Sequence, residues 1–118
     1  MAGLLKWSVQ NGDIEKVRQA FMQKSFDVNE DIGNGTRLIH CAADYGQLEV
    51  IDYLISIGAN INVVDKHGNS PLLNAVYEGH TSCVKLLLDK GADKNIKSPS
   101  GETALQVAET EAIKQLLK

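Results

Sequence analysis

The chain has 118 residues, of which 43% are hydrophobic and 23% charged, and its net charge is −3 at pH 7. This length is typical of one domain, which can bury roughly two-thirds of the surface that its unfolded chain exposes. The slightly acidic balance argues against a general binder of nucleic acid or of anionic membranes, because both need a strongly basic surface. Few aromatic residues among many Leu, Ile, Val and Ala favour packed helices over a sandwich of strands.

The acidity lies in the N-terminal half. Residues 1–59 carry five Lys or Arg and eight Asp or Glu, whereas residues 60–118 carry seven of each. We therefore expect a basic partner to dock on the N-terminal half. The first seven residues contain no apolar run long enough for a signal peptide, and no window approaches the roughly 20 apolar residues of a membrane span. We expect a cytoplasmic location, and the nucleus is a further possible location.

The first predicted unit, residues 1–29, starts directly with an apolar helical stretch and has no preceding turn element. Its aromatic residue, Trp7, has two readings. Tryptophan is a typical anchor of protein interfaces, and it can equally cover the open end of a hydrophobic core.

The second unit, residues 30–62, begins with Gly33-Asn34-Gly35, which we interpret as a mobile tip that a partner could order. It is not a phosphate-binding loop, because no strand precedes it and no spaced third glycine follows. Arg37 stands where a good helix-capping residue is expected, so this helix start is less well capped, and Thr36 is a candidate substitute. His40 is predicted to hydrogen-bond between adjacent turns.

The third unit, residues 63–95, is the clearest. Ser70 offers an oxygen to the free amides of a helix start, and Pro71 at the first helical position loses no needed N–H. Gly79 allows the positive φ that ends a helix, and a second helix then runs from about His80 until Gly91 closes it. The fourth unit, residues 96–118, is a shortened version of this pattern.

These units repeat with a fixed period. The segments that begin at Arg37, Ser70 and Thr103 are similar, and both spacings are 33 residues (70 − 37 and 103 − 70). A pair of short helices cannot hide its own apolar side, so such units must stack on one another. The period and the Ser70–Ala75 element resemble the ankyrin repeat. The resemblance implies an all-α ankyrin-repeat solenoid, a single domain over residues 1–118 with four turn–helix–helix units and truncated terminal caps.

Several stretches that ankyrin packing does not demand resemble the myotrophin family of small ankyrin proteins. The most specific is Ala75–His80, with the sequence AVYEGH. This resemblance implies that the chain binds the actin-capping protein heterodimer and blocks its attachment to filament barbed ends, which permits filament growth. The alternative is a general ankyrin adaptor for another protein, such as a transcription-factor domain.

Ankyrin proteins usually bind their partners through the turn tips and the exposed side of the first helix of each repeat. Tyr45 and Tyr77, one residue off perfect register, are expected to line one groove, because tyrosine tolerates half-exposure. Asp44 and Glu78 are either partners for Lys or Arg or simply solvated carboxylates. The predicted protein-binding residues are Trp7, Gly35, Arg37, Asp44, Tyr45, Asp65, His67, Tyr77 and Glu78.

No residue pattern indicates catalysis or metal binding. The histidines and cysteines lack ligand spacings such as C-x-x-C or H-E-x-x-H. Cys41 and Cys83 lie in apolar helical stretches and are interpreted as reduced, packed thiols. The sequence thus predicts a non-enzymatic protein-binding module without cofactor or metal, and a monomer because both terminal units look sealed.

Overall fold

A computed structural model describes residues 2–23 and 26–118. Within these ranges the chain forms helices and no strand. In chain order the helices are α1 (Ala2–Gln10), α2 (Ile14–Gln23), α3 (Leu38–Asp44), α4 (Leu48–Ser56), α5 (Pro71–Tyr77), α6 (Thr81–Asp89), α7 (Ala104–Val107) and α8 (Glu111–Leu117).

The helices stack in two layers. Successive helices pack as pairs, and each pair also packs against the next. The first helices, α1, α3, α5 and α7, form one layer, and the second helices, α2, α4, α6 and α8, form the other. The stack measures 41 × 25 × 21 Å. The predicted all-α ankyrin solenoid is confirmed, while the exact repeat boundaries stay a prediction.

The starts of α5 and α3 are capped in different ways. The Leu73 amide donates to Ser70 Oγ at 3.2 Å, and Pro71 occupies the first helical position, as predicted. At the start of α3 the capping position is Arg37, so Thr36 does not substitute for it. A guanidinium has no acceptor, and instead the Arg37 amide donates to Nδ1 of His40 at 3.0 Å.

One hydrophobic core runs the length of the stack between the two layers. It contains buried side chains from every helix pair, among them Val9, Ile39, Ile51, Leu72, Leu87 and Ile113. Because each pair covers the apolar side of its neighbour, the core is continuous, and burial of each such side chain stabilises the fold by roughly 1.5–3 kcal/mol.

Polar bonds also join neighbouring repeats. Oδ1 of Asn29 accepts from the Asn60 amide, and Oδ1 of Asn62 accepts from the Asp93 amide, each at 2.7 Å. At the ends of the first helices, Nε2 of Gln47 donates to the Gln10 carbonyl at 2.7 Å. These bonds fix the spacing of the repeats and therefore the shape of the surface that the first helices present.

No helix in the part of the chain that the structure describes is long and apolar enough to cross a bilayer.

Candidate protein-binding surface

The turn tips are held by aspartate side chains. Oδ1 of Asp31 accepts from the Gly33 and Gly35 amides at 2.8 and 3.1 Å. Oδ1 of Asp65 accepts from the His67 and Asn69 amides at 2.9 and 3.0 Å. Asp65, a predicted binding residue, thus has a structural task in shaping its tip, and His67 beside it is exposed.

The first tip is fixed to the second one. The Lys66 amide donates to the Asn34 carbonyl at 2.7 Å, and a Cβ on Gly35 would lie 2.7 Å from the Lys66 nitrogen. Gly35 therefore permits a close approach of two backbones. These backbone contacts join the first tip to the second, and the mobility of the first tip stays a prediction.

Arg37 contributes to the same fixation. Its Nε donates to the Asn29 carbonyl at 2.9 Å, its Nη1 donates to the Gly35 carbonyl, and Asp31 lies 4.0 Å away. The structure thus occupies the guanidinium of this predicted binding residue with contacts to its own tip and to the end of the preceding repeat.

His40 joins the second and third units, as predicted. Its Nε2 lies 3.0 Å from the carbonyl oxygens of both Val63 and Asn69. The side chain is 2% exposed. Burial lowers the pKa of His40 below the usual 6.5, so the neutral ring, with Nε2 as donor and Nδ1 as acceptor, fits these contacts.

A groove of about 310 Å³ lies along the first helices and beneath the tips. Asp44, Tyr45 and Asp65 are the predicted residues that line it. Lys6, Gln10, Thr36, His40, Cys41 and Asn74 line it as well.

Sequence reasoning missed Lys6, Gln10 and Asn74 as groove residues. The spacing of the glycines in the sequence could have indicated them. The backbone turns that end α1, α3 and α5 contain equivalent glycines, namely Gly12, Gly46 and Gly79. Counting back from these glycines places Gln10 at the position of Asp44, and this alignment would have extended the groove into the first repeat.

The two tyrosines are not equivalent in the structure. Tyr45 follows the last residue of α3, whereas Tyr77 is the last residue of α5, so Tyr77 corresponds to Asp44 and Glu78 to Tyr45. The rings are 52% and 43% exposed. One helical position turns a side chain by about 100°, so the two tyrosines point in different directions, and only Tyr45 lines the groove.

The carboxyl group of Asp44 has a shifted pKa because of its surroundings. Partial desolvation and the nearby Glu78 carboxylate raise the pKa of Asp44 above its usual value, and His80 opposes that shift. Nε2 of His80 lies 3.0 Å from the Asp44 carbonyl oxygen. Two neighbouring carboxylates repel each other, so a cation from a partner would relieve the repulsion.

Trp7 lies on α1 and is half exposed, with the Lys16 ammonium 5.7 Å from the centre of its ring. It is therefore not a buried seal of the core. Leu4, on the same helix, is 70% exposed. The N-terminal unit therefore exposes apolar side chains and is not sealed as we expected. The monomeric state stays a prediction.

The described residues include no group of three or more His, Cys, Asp or Glu that could hold a metal ion. Cys41 and Cys83 are buried free thiols, and burial raises the pKa of both. A raised thiol pKa reduces the thiolate fraction and thus the reactivity.

Comparison with known proteins identifies the family. The model for ankyrin repeats (3 copies) matches residues 5–98 and 58–118. Two human proteins are similar over much of the chain: BCL-6 corepressor-like protein 1, 30% identical over 97% of this chain, and transient receptor potential cation channel subfamily A member 1, 38% identical over 73%. The chain spans only 6% and 8% of their lengths. It is an ankyrin-repeat protein, and this class consists of protein-interaction modules.

A relative of the same size is myotrophin from Xenopus tropicalis. It is 51% identical over 111 residues, which cover 94% of this chain and 93% of the frog protein. The chain belongs to the myotrophin family of small ankyrin-repeat proteins.

Proposed function

We propose that this protein binds the actin-capping protein heterodimer and prevents it from capping filament barbed ends, which promotes filament growth. The observation that carries the proposal is the match to myotrophin at 51% identity over nearly the full length of both chains. We expect the protein in the cytoplasm, with the nucleus as an alternative.

The binding surface that we propose combines the groove with the side chains at its edges. Tyr45, Asp44 and Asp65 line the groove. Trp7 and Tyr77 are exposed on first helices of the same layer, and Glu78 is exposed close to Asp44. Exposed aromatic rings beside carboxylates suit a partner surface that is basic and partly apolar, because aromatic residues supply contact area and the carboxylates pair with its cations. Gly35 and Arg37 support this surface by fixing the first tip, and His67 extends it.

The test measures elongation from actin seeds capped by the purified heterodimer. Adding this protein at saturating concentration should restore elongation. Replacing Trp7 and Tyr77 together by Ala should weaken binding of the heterodimer about tenfold or more, if the rings act as hot spots. A Glu109→Gln variant, changed at an exposed residue near the C-terminal end, is the control and should bind as the wild type does.

Failure to restore elongation at saturation, with no binding to the heterodimer, would reject the proposal. The general adaptor would then be the better reading. A pull-down from cytosol read by mass spectrometry would distinguish the two, because an adaptor for a transcription-factor domain would recover that protein in place of the capping heterodimer.

A further inference from the structure

A second furrow lies in the other layer, between the second helices α4 and α6. Its volume is about 350 Å³. Leu48 and Leu86 supply its apolar surface, and Leu48 is 41% exposed. The remaining lining residues are Glu49, Asp52, Ser82, Lys85 and Asp89. None of them lines the first-helix groove, so the two surfaces are separate.

One repeat earlier, the corresponding space between α2 and α4 is filled by a side chain of this protein. Arg18 of α2 lies over the ring of Tyr53 of α4, with its guanidinium carbon 5.5 Å from the ring centre. Arg18 is the fifth residue of α2 and Tyr53 the sixth of α4. The fifth residue of α4 is Asp52, and the sixth of α6 is Leu86. In the furrow, Leu86 therefore stands where Tyr53 lies under Arg18, and the carboxylate of Asp52 stands where the covering arginine would be.

The charges of the furrow are predominantly negative. Three carboxylates and one ammonium line it. Lys85 is already paired with Asp89 at 3.0 Å, and Lys90, from just outside, reaches Asp52 only at 3.9 Å. Glu49 makes no ion pair within the described residues. Glu49 and Asp52 thus have capacity for a further cation, beside an apolar patch that suits an aliphatic stem.

We propose that the α4–α6 furrow is a docking site for an arginine side chain of a partner protein. The aliphatic stem packs on Leu48 and Leu86, and the guanidinium donates to the carboxylates of Asp52 and Glu49. Arginine fits better than lysine because its planar fork can bond two carboxylate oxygens at once and is weakly hydrated. The incoming arginine would occupy the place that Arg18 takes one repeat earlier, with its stem on leucine side chains in place of the Tyr53 ring.

A second copy of this chain is not the occupant. The sequence contains two arginines, Arg18 and Arg37. Arg18 is stacked on Tyr53, and Arg37 is bonded to the carbonyls of Asn29 and Gly35. Neither is available to enter a furrow on another molecule without breaking these contacts.

The test is a titration of ¹⁵N-labelled protein with a blocked helical peptide that carries Arg and Leu one turn apart, followed by NMR. Backbone amides of residues 48–52 and 82–89 should shift, whereas a peptide with Glu in place of Arg should leave them unchanged. The Asp52→Arg variant places an arginine in the furrow from its own helix, so it should lose at least about tenfold in affinity, as removal of an interface anchor does, without a lower Tm.

The matched control is Glu109→Arg, which makes the same charge change at an exposed residue outside both helices and should bind the peptide as the wild type does. Equal shifts with the Glu peptide, unchanged binding by Asp52→Arg, or shifts confined to the first-helix groove would each overturn the proposal. So would a concentration-dependent dimer that Asp52→Arg abolishes, because a second copy would then be the occupant.

Discussion

At the scale of single residues, His40 illustrates how a polar group in the core sets a pH limit on stability. Its ring is almost fully buried and touches the backbone of two tips. A histidine that is buried neutral must be protonated at an energetic cost as the pH falls, because the charged form is desolvated. The contacts that join the second and third repeats therefore depend on a neutral ring.

We expect the free energy of unfolding to fall as the pH is lowered from about 6.5, the usual histidine pKa. The unfolded chain binds a proton near that pH, while the native His40 binds it only at a lower pH, so stability rises with pH in this window. Urea denaturation at a series of pH values measures the slope. A His40→Gln variant should be less stable with a smaller slope, whereas His67→Gln, at an exposed tip, should keep the wild-type slope. Equal slopes in wild type and His40→Gln would contradict this account.

A glycine at the end of a first helix can be required by a positive φ or by a close contact with the next repeat. Comparing Gly46 with Gly79 distinguishes these two requirements. Both have positive φ, +71° and +73°. A Cβ on Gly46 would also lie 2.7 Å from Nδ1 of His80, while nothing lies within 4 Å of a Cβ on Gly79. Of these two glycines, only Gly46 therefore combines a left-handed backbone with close contact to the next repeat.

Gly79→Ala should destabilise the protein by about 1–2 kcal/mol, the cost of a left-handed non-glycine residue. Gly46→Ala should cost about 1 kcal/mol more, because His80 must move and its contact with the Asp44 carbonyl is weakened. Denaturant unfolding of the two variants measures the difference. Equal losses would show that the His80 contact is energetically neutral.

At the scale of elements, the asparagines that end each repeat act as links between successive turns. Oδ1 of Asn62 accepts from the Asp93 amide, and the equivalent Asn29 bonds to the repeat that follows it. Asn95 occupies the same place in the third repeat, where the fourth unit is shortened, and no such bond from its side chain is formed within the described residues.

Asn62→Ala should therefore cost about 1 kcal/mol of stability, the typical net value of a hydrogen bond. Asn95→Ala removes a side chain of the same type and should cost less, since it breaks no link to a following repeat. Thermal unfolding of both variants against the wild type checks the order. A larger loss for Asn95→Ala would reject the linking role.

Several elements could be predicted from sequence because their causes are local. Ser70 and Pro71 start a helix for reasons of capping and backbone geometry, and the 33-residue period implies stacking, so the fold followed from the chain. The candidate site followed less well. The role of Arg37 depends on where the Asn29 and Gly35 carbonyls lie in space, and the directions of Tyr45 and Tyr77 depend on a one-residue offset. The α4–α6 furrow could not be predicted, because it arises from helices that meet only after the repeats stack.

At the scale of the whole molecule, stability in a repeat stack is approximately a sum of each unit and its contacts with neighbours. The middle helix pairs are covered on both sides, while the terminal pairs are covered on one. In the fourth repeat, the first helix, α7, has four residues, whereas α3 and α5 have seven each. The binding surfaces proposed above lie largely on the middle repeats, so we expect these surfaces to keep their shape in the free protein.

Hydrogen exchange followed by NMR should reveal this gradient. Amides of α4 and α6 should be the best protected, because their inner residues Val50, Ile51, Val84 and Leu87 are fully buried between neighbours. Amides of α7 should exchange fastest among the helices, since a short helix with one neighbouring pair opens with a low local free energy. A Leu105→Ala variant should increase exchange in α7 and α8 and leave α4 nearly unchanged, because coupling between units weakens with each interface. Uniform protection from α1 to α8 would instead mean that the repeats open only together, and stacking would then have to be treated as a single all-or-none step.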